Sequence, residues 1–436
     1  MRPRQSRPRL LQAMLDAFSL PDLRRRILIT VGILVIFRFV AHVPIPGVDQ
    51  NALQALFERN ALLGMLDMFS GGAMRRLSVA AMGVYPYITA SIIMMLLVPV
   101  IPRLQALSRE GEGGRNKINL ITHWLVVPLA AVQGYGQLVY IQREGVLAST
   151  DPLSMATMVI SMVAGTIFLV WLGELITEYG IGNGISIIIF GGIVAQLPEM
   201  IGQGFLAREN FAGLTVYILL VVLTIAVIVI FTEAHRRIPV QYAKSVFRSG
   251  RMYRHSGTTH IPLRVNAAGM IPLIFAMSLV LFPGIVASYF ANPADPNAAD
   301  WIMRLFSPDA PLPMGLFYWA LYFGMAVAFT FFYTMVIYQQ QDLPGVLQRQ
   351  GGFIPGIRPG KNTANYLNGV INRITWGGAL FLASVAIMPF VARQITNVQV
   401  IQLSSLGLLI MVGVVLDTMK QLEAQLVMRR YEGFIR

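Results

Sequence analysis

The sequence contains no cysteine in 436 residues, and charged residues make up only 13% of it. The absence of cysteine excludes disulfide bonds, thiolate catalysis and cysteine metal ligands. The scarcity of charge, with a hydrophobic content of 55% and a mean hydropathy of +0.62, excludes an ordinary soluble domain. These values are typical of a polytopic membrane protein.

Patterns that carry chemistry are also absent from the sequence. The five histidines form no H-E-x-x-H pair, and no G-x-S-x-G elbow occurs. The segment GIRPGKN, residues 356–362, lacks the spacing of a phosphate-binding loop. The segment GIGNG, residues 180–184, is more simply the start of a helix. We therefore expect neither an enzyme nor a bound cofactor or metal.

Ionisable residues are almost missing from the long apolar runs. Arg38 lies toward the outer end of its run, and Glu174 and Glu178 fall in a predicted short cytoplasmic turn. Ion-coupled carriers usually place such residues at mid-membrane. This pattern weakens the interpretation as a small-solute secondary transporter with inverted repeats, which stays open as the alternative for neutral solutes.

Long apolar runs are what the sequence has in abundance, and ten of them are candidates to cross a bilayer. An even number places both chain ends on one side. Of the 34 lysines and arginines, 26 lie in the termini and the even-numbered connections, so both termini are predicted to be cytoplasmic. The runs are 27–43, 77–102, 118–142, 152–173, 179–198, 210–232, 265–294, 310–341, 374–392 and 394–416.

The amino-terminal segment, residues 1–26, combines seven arginines with apolar residues at helical spacing. Arginine and proline dominate its first nine residues, so we expect no cleavable signal peptide. The pattern predicts an amphipathic helix in the membrane interface. The net charge of +13 suits anionic lipids, an acidic partner or RNA.

One glycine-rich stretch is too short to cross the membrane. Residues 61–74 read ALLGMLDMFSGGAM, and residues 71–93 then predict an apolar helix of membrane length. Backbone inside a bilayer must be covered by protein or face a water-filled space, so the stretch predicts a re-entrant plug over a path. Its candidate residues are Leu62, Leu63, Gly64, Met65, Leu66, Met68, Phe69, Gly71 and Gly72.

Aliphatic residues one helical turn apart form a candidate constriction. Val84 pairs in this way with Ile88, and Ile185 pairs with Ile189. A narrow aliphatic ring blocks ions by dewetting, but the same spacing is common where a helix faces lipid or another helix. The periodicity alone leaves both interpretations open.

Two cytoplasmic connections are longer than a turn requires, and such loops usually carry function. The first, residues 233–264, alternates basic with apolar residues and predicts a short β-ribbon. The second, residues 339–373, contains GGFIPGIRPGKNT, whose glycines and prolines predict a rigid tip that presents Arg358 and Lys361.

Seven motifs, in order along nearly the whole chain, resemble the SecY family of bacterial protein-conducting channels. Each motif alone is modest, but together on ten apolar runs they make accidental similarity very improbable. They are FSGGAM (69–74), PYITASII (86–93), EGEGGRNKIN (110–119), EYGIGNGISIIIF (178–190), RRIPVQYAK (236–244), NAAGMIPLIFA (266–276) and GGFIPGIRPGKNT (351–363).

The resemblance implies an all-α polytopic membrane fold of ten transmembrane helices, in two pseudo-symmetric halves of five around an hourglass pore with a re-entrant plug. It implies an unfolded, signal-bearing polypeptide as substrate, passed across the bacterial cytoplasmic membrane or sideways into lipid. The lateral seam would carry polar contacts from Thr89, Ser91 and Asn266. The implied pore ring consists of Val84, Ile88, Ile185, Ile189, Ile274 and Ile410.

The resemblance also implies partners. The basic loops would form a docking surface shared by the SecA motor ATPase and the ribosome, while SecE and SecG would be small membrane subunits beside the channel. Arginine suits such a surface because its fork pairs with phosphate or carboxylate. The candidate docking residues are Arg358, Lys361, Arg236, Arg237, Lys244, Arg248 and Arg251.

The predicted organisation follows from these features. In chain order, it is the amino-terminal segment 1–26, a first half 27–200 with five spans and the plug, the sixth span 201–232, the basic loop 233–264, two spans in 265–338, the docking loop 339–373, two spans in 374–416 and a cytoplasmic tail 417–436.

Overall fold

The computed structural model of the chain describes residues 20–59, 67, 70–147, 151–206, 211–248, 251–288, 290, 297–307, 310, 313–396 and 405–435. The backbone forms two compact units. The first comprises Met1–Leu206, Leu281–Gly315 and Ile410–Arg436, and the second comprises Ala207–Val280 and Leu316–Leu409.

Helices dominate the described part of the chain, with three strands in addition. The elements are α1 (Pro21–Val40), α2 (Gln50–Arg59), α3 (Tyr85–Val100), α4 (Pro102–Arg109), α5 (Glu112–Arg143), α6 (Pro152–Tyr179), α7 (Gly184–Leu206), α8 (Phe211–Glu233), β1 (His235–Arg248), β2 (Arg251–Arg264), α9 (Ile271–Ser288), α10 (Ala298–Leu305), α11 (Met314–Gln341), α12 (Leu343–Arg349), β3 (Gly352–Phe353), α13 (Lys361–Thr396) and α14 (Ser405–Ile435).

Each of the ten apolar runs overlaps one of these helices, but fewer helices are long and apolar enough to cross a membrane alone. Within the described residues there are four: Glu112–Arg143, Pro152–Tyr179, Met314–Arg349 and Lys361–Met388. The pair α3 and α4, bent by 97°, adds a fifth if it counts as one span. Three further apolar helices are shorter, namely Gly184–Pro198, Ile218–Glu233 and Ile271–Gly284.

Large apolar side chains cover much of the outer surface of these helices. Leu153 is 77% exposed, Phe39 is 72% exposed and Trp124 is 71% exposed. A soluble monomer rarely presents so much contiguous apolar surface. Lipid is the solvent that suits it.

The helix predicted over residues 71–93 is wrong in its first part, because α3 begins only at Tyr85. Leu77 adopts the left-handed conformation with φ 39°, and Gly83 has φ 56°, so the backbone there is not helical. The N–H of Val79 instead bonds to the carbonyl of Val43 at 3.0 Å. Pro86 then sets the start of the helix, since proline fits its first turn.

The segment before α3 is not α-helical, contains a short 3₁₀ helix, Met74–Arg76, and is packed into the first unit's core. Met74 and Leu77 are buried there with Leu53 of α2, Leu138 of α5 and Met162 of α6. The carbonyl of the neighbouring Val79 lies so close to Gly165 of α6 that a methyl group on that glycine would overlap it. The segment is therefore held by packing on several helices.

The second unit is organised around an antiparallel sheet with strand order β2-β1-β3. The ribbon predicted for residues 233–264 is confirmed, since β1 and β2 pair over 14 residues each. The predicted loop 339–373 is largely helical, because α11 extends to Gln341, α12 follows, and α13 begins at Lys361. Between these helices β3 pairs with β1, Phe353 opposite Gln241.

Candidate functional site

The carboxylate of Asp67 organises the turn that follows it, residues 70–76, which we call the Gly71 turn. Its Oδ1 accepts hydrogen bonds from Ser70 Oγ at 3.1 Å and from the backbone N–H groups of Met74 at 3.1 Å and Arg75 at 3.2 Å. Its Oδ2 lies 3.0 Å from Arg75 Nε, and the side chain is 1% exposed. The carboxylate thus caps the short helix that begins at Met74.

Burial raises the pKa of Asp67 above its ordinary value. The charge of Arg75 and the hydrogen bonds to the carboxylate act in the opposite direction but do not outweigh burial. Removing a carboxylate from water disfavours its charged form, so it holds its proton more tightly. The stability of the Gly71 turn is therefore linked to the protonation of this group.

Helices α1 and α7 of the first unit donate hydrogen bonds to Gly71 and to Asp67. From α1, Arg38 Nη1 donates a hydrogen bond to the carbonyl oxygen of Gly71 at 2.7 Å. From α7, Gln196 Nε2 donates to the carbonyl oxygen of Asp67 at 3.4 Å. The backbones also touch, because a methyl group on Gly71 would lie 2.7 Å from Gly192 Cα. Nothing in the sequence indicates that Arg38 has this partner.

The predicted plug is only partly within the described residues. Gly71 and Gly72 belong to the Gly71 turn and have φ values of 68° and 85°, which glycine adopts without strain. The other predicted plug residues lie outside the described residues: Leu62, Leu63, Gly64, Met65, Leu66, Met68 and Phe69. For them the plug stays a prediction.

The six predicted ring residues are buried or partly buried. Val84 is 0% exposed and Ile410 is 1% exposed, and Ile88, Ile189 and Ile274 are also buried. Ile185 is half-buried and packs on α6, because a methyl group on Gly173 would lie 2.6 Å from its Cδ1. Ile274 belongs to the second unit and the others to the first. A closed ring and ordinary helix packing both require such burial.

The predicted seam residues Thr89 and Asn266 differ in their polar contacts. Thr89 donates to the carbonyl of Tyr85 at 3.1 Å and accepts from Gln133 Nε2 at 3.4 Å. Asn266 is buried, and its Oδ1 has no hydrogen-bond partner within the described part of the chain. Gln133, on α5, was missed by the sequence analysis. A glutamine inside an apolar run was the available signal, but the run does not show which helix it faces.

A second polar contact joins three helices of the first unit. His123 Nε2 of α5 lies 3.0 Å from Glu174 Oε1 of α6, and the His123 ring stacks on Tyr87 of α3 at 5.7 Å between centroids. The turn predicted at Glu174 and Glu178 is wrong, because α6 continues to Tyr179. Within this helix, Glu174 faces α5.

The predicted docking residues lie on the ribbon and next to β3. Arg236 and Arg237 are exposed, as are Arg358 and Lys361. Lys244 and Arg248 lie on β1 and Arg251 on β2, with Arg248 opposite Arg251 in the register. Tyr242 OH donates to Gln350 Oε1 at 3.3 Å, so the ribbon meets residues 350–361, which we call the Arg358 segment. The sequence separates them by about a hundred residues.

An apolar cleft in the first unit lies between α1, α7 and α14. It has a volume of about 310 Å³, and Thr30 and Thr418 supply the hydroxyl groups among otherwise apolar lining side chains such as Leu34 and Phe190. A solute carrier needs polar groups that orient its substrate. This cleft offers few.

Comparison with solved structures defines the class of the fold. The chain matches a SecY structure whose plug domain stabilises the closed state of the translocation channel, with TM-score 0.66 and 17% identity over 95% of this chain and 97% of that one. It also matches Sec61 in the canine ribosome–channel complex, with TM-score 0.61 and 16% identity over the same shares. The fold is that of a protein-conducting channel.

Comparison of sequences then gives the family. The SecY family model matches residues 78–419. The protein translocase subunit SecY of Streptomyces scabiei is 42% identical over 98% of this chain and 100% of its own length. That of Thermus thermophilus is 40% identical over 98% of each. This chain belongs to the SecY family, which confirms the resemblance carried by the seven motifs.

Proposed function

We infer that this chain is the channel subunit of a protein translocase, a multi-pass protein of the cytoplasmic membrane that conducts polypeptides and catalyses no covalent reaction. The observation that carries the inference is the match of the SecY family model over residues 78–419. Relatives named as translocase subunits, at 40% and 42% identity over nearly the full length, support it.

We propose ten spans in two halves of five, with both termini cytoplasmic. Each apolar run overlaps a helix, and helices that are too short alone are tolerated where neighbours cover their ends. The excess of basic residues in the termini and even-numbered connections supports the orientation.

We propose that residues 61–74 form the plug and that the six aliphatic residues form the ring. An unfolded chain presents every kind of side chain in turn, and a ring of specific polar pairs would leave groups unpaired as mismatched residues passed. An aliphatic ring contains no such groups. It therefore accepts any sequence while resisting ions.

We propose that signal sequences leave through a seam to which Thr89, Ser91 and Asn266 contribute. A signal is apolar and about 20 residues long, so lipid stabilises it once it passes sideways. A seam with few polar contacts separates at a small cost in free energy, because polar contacts between membrane helices contribute only about 1 kcal/mol each.

We propose that the ribbon and the Arg358 segment dock the partner that drives transport. Two observations support this: exposed Arg236 and Arg237 lie on β1, and exposed Arg358 and Lys361 follow β3 along the chain. Their side chains suit phosphate or carboxylate groups. The related Sec61 was solved in a ribosome–channel complex, which supports the ribosome. SecA as motor and SecE and SecG as membrane subunits follow from family membership.

Single-channel conductance in planar bilayers tests the proposed function. The chain with its small membrane subunits should be silent, whereas a variant lacking residues 64–72 should flicker open to ions, because the deletion removes most of the plug. A deletion of equal length in the tail, residues 428–436, serves as the control and should leave the channel silent. Silence of both deletions, together with saturable uptake of one solute, would replace the channel by the transporter.

A further inference from the structure

We propose that Arg38 is a positioning residue for the plug: its guanidinium fixes the Gly71 turn in the closed channel, and opening breaks that hydrogen bond. The inference rests on the proposed function, in which residues 61–74 close the path. It concerns a residue outside the proposed plug, ring, seam and docking surface.

The hydrogen bond between Arg38 and Gly71 is short, and the neighbouring Phe37 packs against the same glycine. Arg38 Nη1 lies 2.7 Å from the carbonyl oxygen of Gly71, the length of a charge-assisted hydrogen bond. The preceding residue, Phe37, is 1% exposed, and a methyl group on Gly71 would lie 3.1 Å from its Cζ. One turn of α1 therefore holds Gly71 by a polar and an apolar contact.

An arginine in an apolar helix requires a partner, because a charge is unfavourable in hydrocarbon. The partner of Arg38 is a backbone carbonyl, which exists at position 71 whatever side chain stands there. A carbonyl has no net charge, so the bond is strong for a hydrogen bond but weaker than a buried ion pair. Such a bond suits a contact that must form and break repeatedly.

The hydrogen bonds within the Gly71 turn differ from those that attach it. Inside, the Asp67 carboxylate holds Ser70, Met74 and Arg75, and the carbonyl of Asp67 accepts from the N–H of Gly72 at 3.2 Å. Outside, side-chain hydrogen bonds attach it: from Arg38 of α1 at 2.7 Å, from Gln50 of α2 to the carbonyl oxygen of Arg76 at 3.1 Å, and from Gln196 of α7 at 3.4 Å. The Gly71 end of the turn is thus attached by hydrogen bonds to α1 and α7, whereas its Met74 end is anchored in the core of the first unit. Breaking the Arg38 bond removes the shortest of these attachments, the one at Gly71.

The test compares Arg38→Met with Arg76→Met in the chain assembled with its small membrane subunits. Arg76 lies close enough to Arg38 for their charges to interact, so its replacement also removes one positive charge there but leaves the Gly71 hydrogen bond. We expect Arg38→Met to raise the open probability of the resting channel about ten-fold or more, from the typical strength of a bond to a charged group. Arg76→Met should stay silent.

A second readout follows the turn itself. The chain has no cysteine, and Ala73 in the turn is buried, so maleimide labelling of Ala73→Cys reports exposure at this point. Labelling should be about ten-fold faster with Arg38→Met than with Arg76→Met. If Arg38→Met does not accumulate in membranes, Arg38→Lys replaces it. Lysine keeps the charge but has a shorter reach, so an intermediate rate is expected.

Two outcomes separate failure of this inference from failure of the proposed function. A variant lacking residues 61–66 is measured in parallel. If that deletion opens the channel while every Arg38 variant that accumulates behaves as Arg76→Met does, in conductance and labelling, Arg38 does not position the plug. If the deletion leaves the channel silent, the plug assignment fails, and this inference fails with it.

Discussion

The structure shows the hydrogen-bond partners of two polar residues that lie in apolar helices. Arg38 bonds to Gly71 across 33 positions in the sequence, and Gln133 bonds to Thr89 across 44. Arg38 was noted in the sequence because few charged side chains tolerate an apolar helix, whereas Gln133 was missed. Their partners were not predictable, because partners so far apart in sequence depend on how the helices pack.

At this scale the raised pKa of Asp67 predicts a pH-dependent stability. A carboxyl group whose pKa is raised by folding stabilises the folded state below its ordinary pKa, and the contribution is lost as the pH rises through the raised value. Asp67→Asn keeps one acceptor oxygen and cannot ionise. We expect the apparent Tm of the purified complex to fall less from about pH 4 to pH 8 in this variant than in the parent.

Asp67→Ala and Glu110→Gln complete that experiment. The alanine variant leaves buried donors of Ser70, Met74 and Arg75 without their acceptor, so it should lose about 1–3 kcal/mol or more at every pH. Glu110 is exposed and lies 4.0 Å from Lys117, so its replacement should change little. Equal pH slopes for the parent and Asp67→Asn would show that Asp67 does not titrate in this range.

At the scale of elements, the approach of the Gly71 turn to α7 depends on one glycine. A methyl group on Gly192 would lie 2.8 Å from Gly71 Cα, which is backbone, whereas one on Gly191 would lie 2.7 Å from Leu34 Cδ2, the end of a flexible side chain. We expect Gly192→Ala to displace the turn and increase the ion leak of the resting channel. Gly191→Ala should leave the resting channel nearly closed to ions, because the side chain of Leu34 can rotate away from the added methyl group.

Conductance of the two alanine variants checks this expectation in the same bilayers. The substitutions are chemically identical and adjacent, so general effects on helix α7 cancel. An ion leak of equal size from both variants would mean that the contact between α7 and the Gly71 turn does not keep the resting channel closed. Silence of both would mean that the turn tolerates a shift of a few tenths of an ångström.

The elements that could be predicted were those set by composition and alternation. Apolar runs indicated the helices, and alternating residues over 236–254 indicated the ribbon. The beginning of α3 was not predictable in the same way, because Leu77 to Val84 are as apolar as a helix that crosses a membrane. Hydrogen bonds to residues 43 and 45 and the packing of Val79 on Gly165 override that preference. The pairing of β3 with β1 was missed for a similar reason: two residues give no strand pattern.

For the whole molecule, a channel that carries no catalytic group depends on a partner for energy. Family membership assigns conduction rather than covalent chemistry to this chain. In the proposed function, the basic loops are where a docked partner imposes direction on transport. Charge there should affect the rate of export more than the assembly of the channel.

Arg358→Glu tests this expectation. Reversal of an exposed charge on the proposed docking surface should lower motor-driven export several-fold, since charge reversal slows association and weakens contacts between charged surfaces. Export of a signal-bearing protein into membrane vesicles measures it. Arg304→Glu, an exposed arginine of α10 on the proposed opposite side, should export normally. Equal export by both would remove Arg358 from the docking surface.

The pairing of β3 with β1 has a mechanical consequence. Gln241 faces Phe353 and Tyr242 faces Gly352 in one sheet, and α13 begins eight residues after that strand. A partner that pulls on the ribbon therefore also pulls on the Arg358 segment and, through it, on the start of a 36-residue helix. Because the two loops share one sheet, a force applied to either loop is expected to be transmitted to the other and to the start of α13.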